Sequence, residues 1–108
     1  MTAKYNININ KNADFSRTFA VTEDSVTTDL TGYQFAAALK ENYKSSTSVA
    51  FAASIVDAAQ GLFRVVLTDD ITATMTPGEW VYDIVMIKPN TDRVRIIEGN
   101  AFVKEGVA

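Results

Sequence analysis

The stretch PGEWVYDIVMIK, residues 77–88, carries the longest regular alternation of side chains in this sequence. Its large apolar residues recur at every second position: Trp80, Tyr82, Ile84 and Met86. Alternate side chains of a strand point to opposite faces, so this spacing predicts a central strand of a two-layer β structure. Pro77-Gly78 is a turn signal before the strand, and Pro89-Asn90 ends it.

Length and composition indicate one globular domain over residues 1–108. The net charge is −3 and the ten basic residues are scattered, so no basic stripe favours nucleic-acid binding. No apolar run is long enough to cross a bilayer, and the first ten residues lack the apolar segment of a signal peptide. We expect neither a nucleic acid nor a membrane as a partner.

The sequence contains no cysteine and no histidine. This excludes disulfides, thiol nucleophiles and thiolate zinc sites, and it removes the commonest general base and transition-metal ligand. The acids at predicted turns form no Asp-x-Asp-x-Asp loop of the calcium-binding type. An enzyme built on a lone carboxylate, or a site for a hard cation, stays open as an alternative. Our prediction is no enzymatic activity, no catalytic residues, no metal site and no cofactor.

The same alternation of apolar residues predicts further short strands, separated by turn signals every eight to twelve residues. These lie at residues 4–10, 15–21, 33–40, 49–55, 62–67, 93–97 and 100–104. Gly99 suggests a β-bulge within one long last strand, and Thr68-Asp69-Asp70 predicts a helical turn near 69–75. The expected fold is all-β, an antiparallel Ig-like β-sandwich of about seven or eight strands with this one helical turn. Its predicted core contains Phe19, Tyr33, Phe35, Phe51, Phe63, Trp80, Tyr82 and Ile84.

Three stretches together carry a family resemblance: DFSRTF at 14–19, DLTGY at 29–33, and PGEWVYDI at 77–84 followed by IEG at 97–99. Their order resembles the small β-sandwich domain of tailed-phage structural proteins, of the upper baseplate and tail-fibre adaptor type. The resemblance spans residues 5–103. It implies a structural or assembly protein of the virion, made in the bacterial host cytoplasm, with other virion proteins as partners.

Arg17 lies in the middle of an apolar strand face. We predict that it forms a structural charge pair with Asp83 or Glu98, with its stem packed at the core margin. A ligand or partner contact by Arg17 is the alternative. The two acids could also be a carboxylate pair for glycoside hydrolysis, but pairing with Arg17, Arg64 or Arg95 is the favoured interpretation.

The first strand alternates Tyr5, Ile7 and Ile9 with asparagines. Asparagine is a poor strand former, so we predict a possible intermolecular contact at Tyr5, Ile7 and Ile9 in a closed homo-oligomer. An ordinary edge strand, in which polar side chains prevent aggregation, is the alternative.

A second function is compatible with the sequence: a small module that binds a carbohydrate or a host-surface ligand. The polar loop at residues 42–48 would then form the binding surface, with Tyr43 or Tyr5 as an exposed aromatic. Single exposed aromatic residues are common on protein surfaces.

Overall fold

Eleven strands and one helix form over residues 3–106, which is the part of the chain that the computed structural model describes. The strands are β1 (Ala3–Lys4), β2 (Ile7–Asn10), β3 (Phe15–Ala20), β4 (Thr22–Glu23), β5 (Val26–Thr27), β6 (Gln34–Lys40), β7 (Val49–Ala50), β8 (Ala52–Asp57), β9 (Leu62–Leu67), β10 (Gly78–Ile87) and β11 (Arg93–Lys104). The helix α1 (Asp69–Thr72) is a single turn. The predictions of an all-β protein and of a helical turn near 69–75 are confirmed. No helix in the described range has the length and apolar character to span a bilayer.

The strands of residues 3–106 form two main sheets and one small hairpin. The larger sheet has the order β1-β11-β10-β6-β7, with β2 also paired to β11, and the smaller sheet has the order β3-β9-β8. The strand predicted to be central, β10, lies between β11 and β6. β4 and β5 pair only with each other.

The larger sheet is mixed, which corrects the prediction of a wholly antiparallel fold. β1 and β2 run parallel to β11, with Ile7 opposite Ala101 and Ile9 opposite Val103. Alternation shows that a segment is a strand, but it is the same for both directions of pairing. The direction depends on which distant strand the segment meets.

The two sheets share one core between their inner faces. β10 buries Trp80, Tyr82, Ile84 and Met86 on that side, and β9 buries Phe63, Val65 and Leu67. Of the predicted core, five residues are buried: Phe51, Phe63, Trp80, Tyr82 and Ile84. Phe19, Tyr33 and Phe35 are only partly buried, and they pack against the core.

The segment predicted as one strand at 49–55 passes from one sheet to the other. β7 pairs with β6 of the larger sheet, and β8 pairs with β9 of the smaller one. Phe51 lies at the crossing, where it is buried and its N–H donates to the carbonyl of Ala37 at 3.0 Å. The apolar alternation continues through Phe51, so the crossing could not be predicted from the pattern of residues.

The long last strand is continuous, but its irregularity lies at Ile96 and not at Gly99. Ile84 faces Ile97 and Val85 faces Arg95, which leaves Ile96 as the extra residue. Gly99 has a different role, because a Cβ there would overlap the carbonyl group of Tyr5. Glycine at this position therefore permits the close approach of the N-terminal segment to β11.

A turn between β2 and β3 holds the helical turn in place. The Asp69 N–H donates to Oδ1 of Asp14 at 2.8 Å, and the buried Thr72 donates through Oγ1 to the carbonyl of Ala13 at 2.9 Å. Thr68 occupies the N-cap position as predicted, but its side chain makes no capping hydrogen bond. Asp14, which is 55 residues away in sequence, supplies the cap.

Candidate functional site

An open groove of about 950 Å³ lies between the β1–β11 edge of the larger sheet and β3 of the smaller sheet. We call it the inter-sheet groove. Its apolar lining consists of Ala3, Phe19, Ala20, Val21, Phe63, Met86, Val94, Ile96 and Ile97. Its charged residues are Lys4, Arg17, Lys88, Glu23 and Asp24. An apolar floor with a charged rim is the usual chemistry of a binding surface.

The groove exists because the N-terminal strand joins the larger sheet. β1 and β2 pair with β11, so within residues 3–106 β3 pairs with β9 alone. The second edge of β3 therefore runs along the groove without a neighbouring strand in the described part of the chain. An edge of this kind offers backbone donors and acceptors to another chain.

A row of aromatic rings runs from the groove into the core. The Tyr5 and Phe19 centroids are 5.8 Å apart with perpendicular rings, and Phe19 lies 5.6 Å from Phe63. Phe63 stacks on Phe35 at 3.9 Å. The guanidinium carbon of Arg17 lies 5.5 Å from the centroid of the Tyr5 ring, within the range of a cation–π contact.

This position of Arg17 corrects the predicted charge pair. Asp83 and Glu98 both contact Arg95: Oδ2 of Asp83 lies 3.1 Å from its Nε, and Oε1 of Glu98 lies 3.7 Å from its Nη1. These groups lie on the outer face of the larger sheet, because Asp83 alternates with the buried Tyr82. Arg17 belongs to the smaller sheet, and no salt bridge of Arg17 occurs within residues 3–106.

The N-terminal segment contributes to the chain's own core. Ile7 is 1% exposed and Ile9 is 0% exposed, whereas Tyr5 is 41% exposed at the groove. Of the three residues predicted at an intermolecular contact, only Tyr5 is therefore accessible in the single chain. A contact between chains at this strand remains a prediction, and it would involve Tyr5, the exposed asparagines or the outer strand edge.

Hydrogen bonds fix the Tyr5 backbone beside the groove. The buried Tyr82 hydroxyl donates to the Tyr5 carbonyl oxygen, and Oδ1 of Asn6 accepts from the Asn100 N–H at 3.0 Å. Burial raises the pKa of Tyr82 to about 12, while the positive charge of Arg17 acts in the opposite direction. The phenol therefore remains a donor at neutral pH, and this wall of the groove is held by the core.

The β4–β5 hairpin borders the other end of the groove. Its two turn residues, Asp24 and Ser25, have φ of 50° and 65°, which is the backbone geometry of a tight two-residue hairpin loop. Glu23 pairs in register with Val26, and Val26 is 66% exposed. The sequence analysis predicted no strands here, because two strands of two residues are too short for a periodic signal.

The loop proposed for glycan binding lies elsewhere. Tyr43 is 73% exposed, and Oδ1 of Asn42 accepts from the Lys44 N–H at 3.0 Å to form a local turn. A smaller groove of about 370 Å³ is lined by Tyr33, Gln34, Phe35, Ala53, Ser54 and Ile55. Residues 42–48 line neither of the two grooves.

The acidic residues of the described chain do not converge. No group of three or more Asp or Glu residues within 3–106 is placed to hold a metal ion. Asp83 and Glu98, the candidate carboxylate pair, both contact Arg95. The grouping that the structure does create is the inter-sheet groove, and its apolar and charged residues suit non-covalent recognition.

No protein-family model matches the chain, and a search of curated proteins finds no significant match.

Proposed function

We propose that this chain is a structural or assembly component of a tailed-phage particle, and that it acts through protein–protein contacts of an Ig-like β-sandwich. The observation that carries the proposal is the inter-sheet groove, in which an apolar floor lies beside the open edge of β3. Protein contacts commonly combine an apolar centre with a polar rim and exposed strand edges.

The strand order supports the Ig-like part of the proposal. In an Ig domain, strands B, E and D belong to one sheet and strands C, F and G to the other, with C′ added in the variable type. Here the smaller sheet has the order β3-β9-β8, which matches B-E-D. The larger sheet contains the order β7-β6-β10-β11, which matches C′-C-F-G.

The stretches that carry the family resemblance support the same fold. DFSRTF covers all of β3 except its last residue, and DLTGY forms the corner before β6. In that corner Oδ1 of Asp29 accepts from the N–H and hydroxyl of Thr31, and these bonds hold the pKa of Asp29 below its ordinary value. Leu30 is fully buried, and Gly32 has a φ of +82° that favours glycine. The phage setting rests on the resemblance.

Mass spectrometry of purified phage particles from a host that carries the gene tests this function. We expect peptides of this chain at a fixed ratio to the other virion proteins, because a structural component has a defined copy number. Complete particles that lack the chain would contradict the proposal. The copy number would also distinguish a tail component from one that repeats over a capsid.

A second candidate is a module that binds a carbohydrate or a host-surface ligand. The exposed Tyr43 favours it, because an aromatic ring can stack on the apolar face of a sugar. Screening the intact chain and a Tyr43→Ala variant against a glycan array tests this candidate. Binding that is lost in the variant would support it over a purely structural role.

A further inference from the structure

We infer that the inter-sheet groove is the contact surface between two copies of this chain, with the β4–β5 hairpin of each copy lying in the groove of the other. The inference rests on the proposed function and gives it a specific surface. It commits to a second copy as the occupant, because the groove and the hairpin complement each other in charge and in apolar character.

Charge is the first argument. Lys4 and Lys88 line the groove from the larger sheet, while Glu23 and Asp24 line it from the hairpin. Within residues 3–106 no ion pair joins these acids to these bases. In a contact with two-fold symmetry, the acidic patch of each copy can meet the basic patch of its partner. The acidic hairpin of one copy would then face the basic wall of the other, twice in each dimer.

Apolar surface is the second argument. Val26 is 66% exposed on the hairpin and lies on the same face as Glu23, its partner in register. In the single chain this valine remains in water, while the groove offers partly exposed apolar side chains, among them Phe19, Val94 and Ile97. Insertion of Val26 into the partner's groove would remove both surfaces from water.

The shape of the hairpin is the third argument. The positive φ angles of Asp24 and Ser25 define a tight loop, so the hairpin loses little conformational freedom on docking. The opposite wall is equally well held, since the Tyr82 hydroxyl and Asn6 fix its backbone. Two preformed surfaces need little rearrangement to associate.

A charge-swap experiment tests the inference on the full chain by analytical ultracentrifugation over a range of concentrations. We expect the natural sequence to form a dimer. The double variant Glu23→Lys with Asp24→Lys makes both patches basic, and Lys4→Glu with Lys88→Glu makes both acidic. Each double variant alone should raise the dimer dissociation constant at least tenfold, because like charges then face each other.

An equimolar mixture of the two double variants should recover the dimer, because opposite charges face each other at both contacts of the mixed pair. Two matched controls carry the same charge changes away from the groove: Glu41→Lys with Glu79→Lys, and Lys44→Glu with Lys104→Glu. All four of these residues are exposed. The controls should dimerise as the natural sequence does, and thermal unfolding should show that every variant is folded.

Val26→Asn gives a second test, which changes no charge. It should also weaken the dimer at least tenfold, because it places a polar amide over the apolar floor. A monomer at all concentrations, or a dimer that neither the charge reversals nor Val26→Asn weaken, would overturn the inference. A monomer that is present in purified particles would leave the proposed function intact, with a different chain as the occupant of the groove. A dimer that is absent from particles would contradict the proposed function alone.

Discussion

Tyr82 connects the core to the N-terminal segment through a single hydroxyl group. The residue is 3% exposed, and its hydroxyl donates to the carbonyl oxygen of Tyr5. A buried phenol resists ionisation, because the phenolate would lose its hydration, so the pKa is raised from 10.0 to about 12. The residue therefore makes the attachment of the N-terminal segment sensitive to alkaline pH.

We predict that the free energy of unfolding falls between pH 10 and 12, because over this range the Tyr82 phenol ionises in the unfolded state but stays protonated in the folded state. The folded state holds the proton more tightly than the unfolded state, so the stabilisation is complete below pH 10 and is lost as the pH rises through about 12. Ultraviolet titration of tyrosinate should show a late ionisation step near pH 12. Tyr82→Phe should remove that late step, whereas Tyr43→Phe, at an exposed site, should retain it.

Gly99 lies at a position where the structure has no room for a side chain. We predict that Gly99→Ala destabilises the chain by about 1–3 kcal/mol, because the added Cβ would overlap the Tyr5 backbone. Hydrogen exchange should show the loss of protection first at the Tyr5 N–H, which donates to the carbonyl of Glu98 at 2.9 Å. Gly78→Ala is an informative comparison: its φ of 136° also strains an alanine, but no atom lies within 4 Å of the added Cβ. Equal destabilisation by both substitutions would contradict the role of close approach at Gly99.

At the scale of elements, the sequence correctly predicted the strands that have one apolar face in the core. The alternation correctly placed β6, β9 and β10, because alternate side chains along each strand enter the core. The sequence did not predict the division between β7 and β8, since a strand that changes sheets keeps its alternation. It also missed β4 and β5, which are too short for a period and bury none of their side chains.

The candidate site follows the same logic. The inter-sheet groove combines residues from β1, β3, β9, β10 and β11 with the hairpin, and no local pattern brings these together. The sequence singled out Tyr5 and Arg17, both of which line the groove. The predicted pairing of Arg17 with Asp83 or Glu98 was wrong, because these acids lie on the outer face of the larger sheet. Alternation assigns side chains to the two faces of a strand, but it does not show which sheet the strand joins.

The α1 element depends on a distant side chain. We predict that Asp14→Ala destabilises the chain by about 1 kcal/mol, because it removes the acceptor for the Asp69 N–H at the start of the helix. Asp14→Asn should retain most of the stability, since an amide oxygen can also accept this bond. Chemical denaturation of both variants gives the measurement. Thr68→Ala should have little effect, as its side chain makes no capping bond, and a larger loss there than at Asp14 would contradict the assignment.

At the scale of the whole molecule, the two ends of the described chain lie side by side. β2 (Ile7–Asn10) pairs in parallel with residues 101–104 of β11. The N-terminal and C-terminal strands are therefore neighbours in the larger sheet. Contacts between such distant residues form late for entropic reasons, and they make the fold depend on the N-terminal segment. The groove is also a consequence of this pairing, because the same segment is then not available to β3.

We predict that deletion of residues 1–10 unfolds the chain and does not simply produce a folded monomer. The deletion removes the fully buried Ile7 and Ile9 and leaves β11 without its parallel partner. Truncation of one buried isoleucine to alanine costs about 2–5 kcal/mol, and loss of both approaches the total of about 5–15 kcal/mol that stabilises a domain. Circular dichroism and thermal unfolding of the truncated chain give the measurement. The single substitutions Ile7→Ala and Ile9→Ala are milder, and each should lower the unfolding temperature. The matched controls are Asn8→Ser and Asn10→Ser, at exposed positions of the same strand, which should leave it nearly unchanged. A truncated chain that stays folded and only loses its oligomer would show instead that the segment acts mainly between chains.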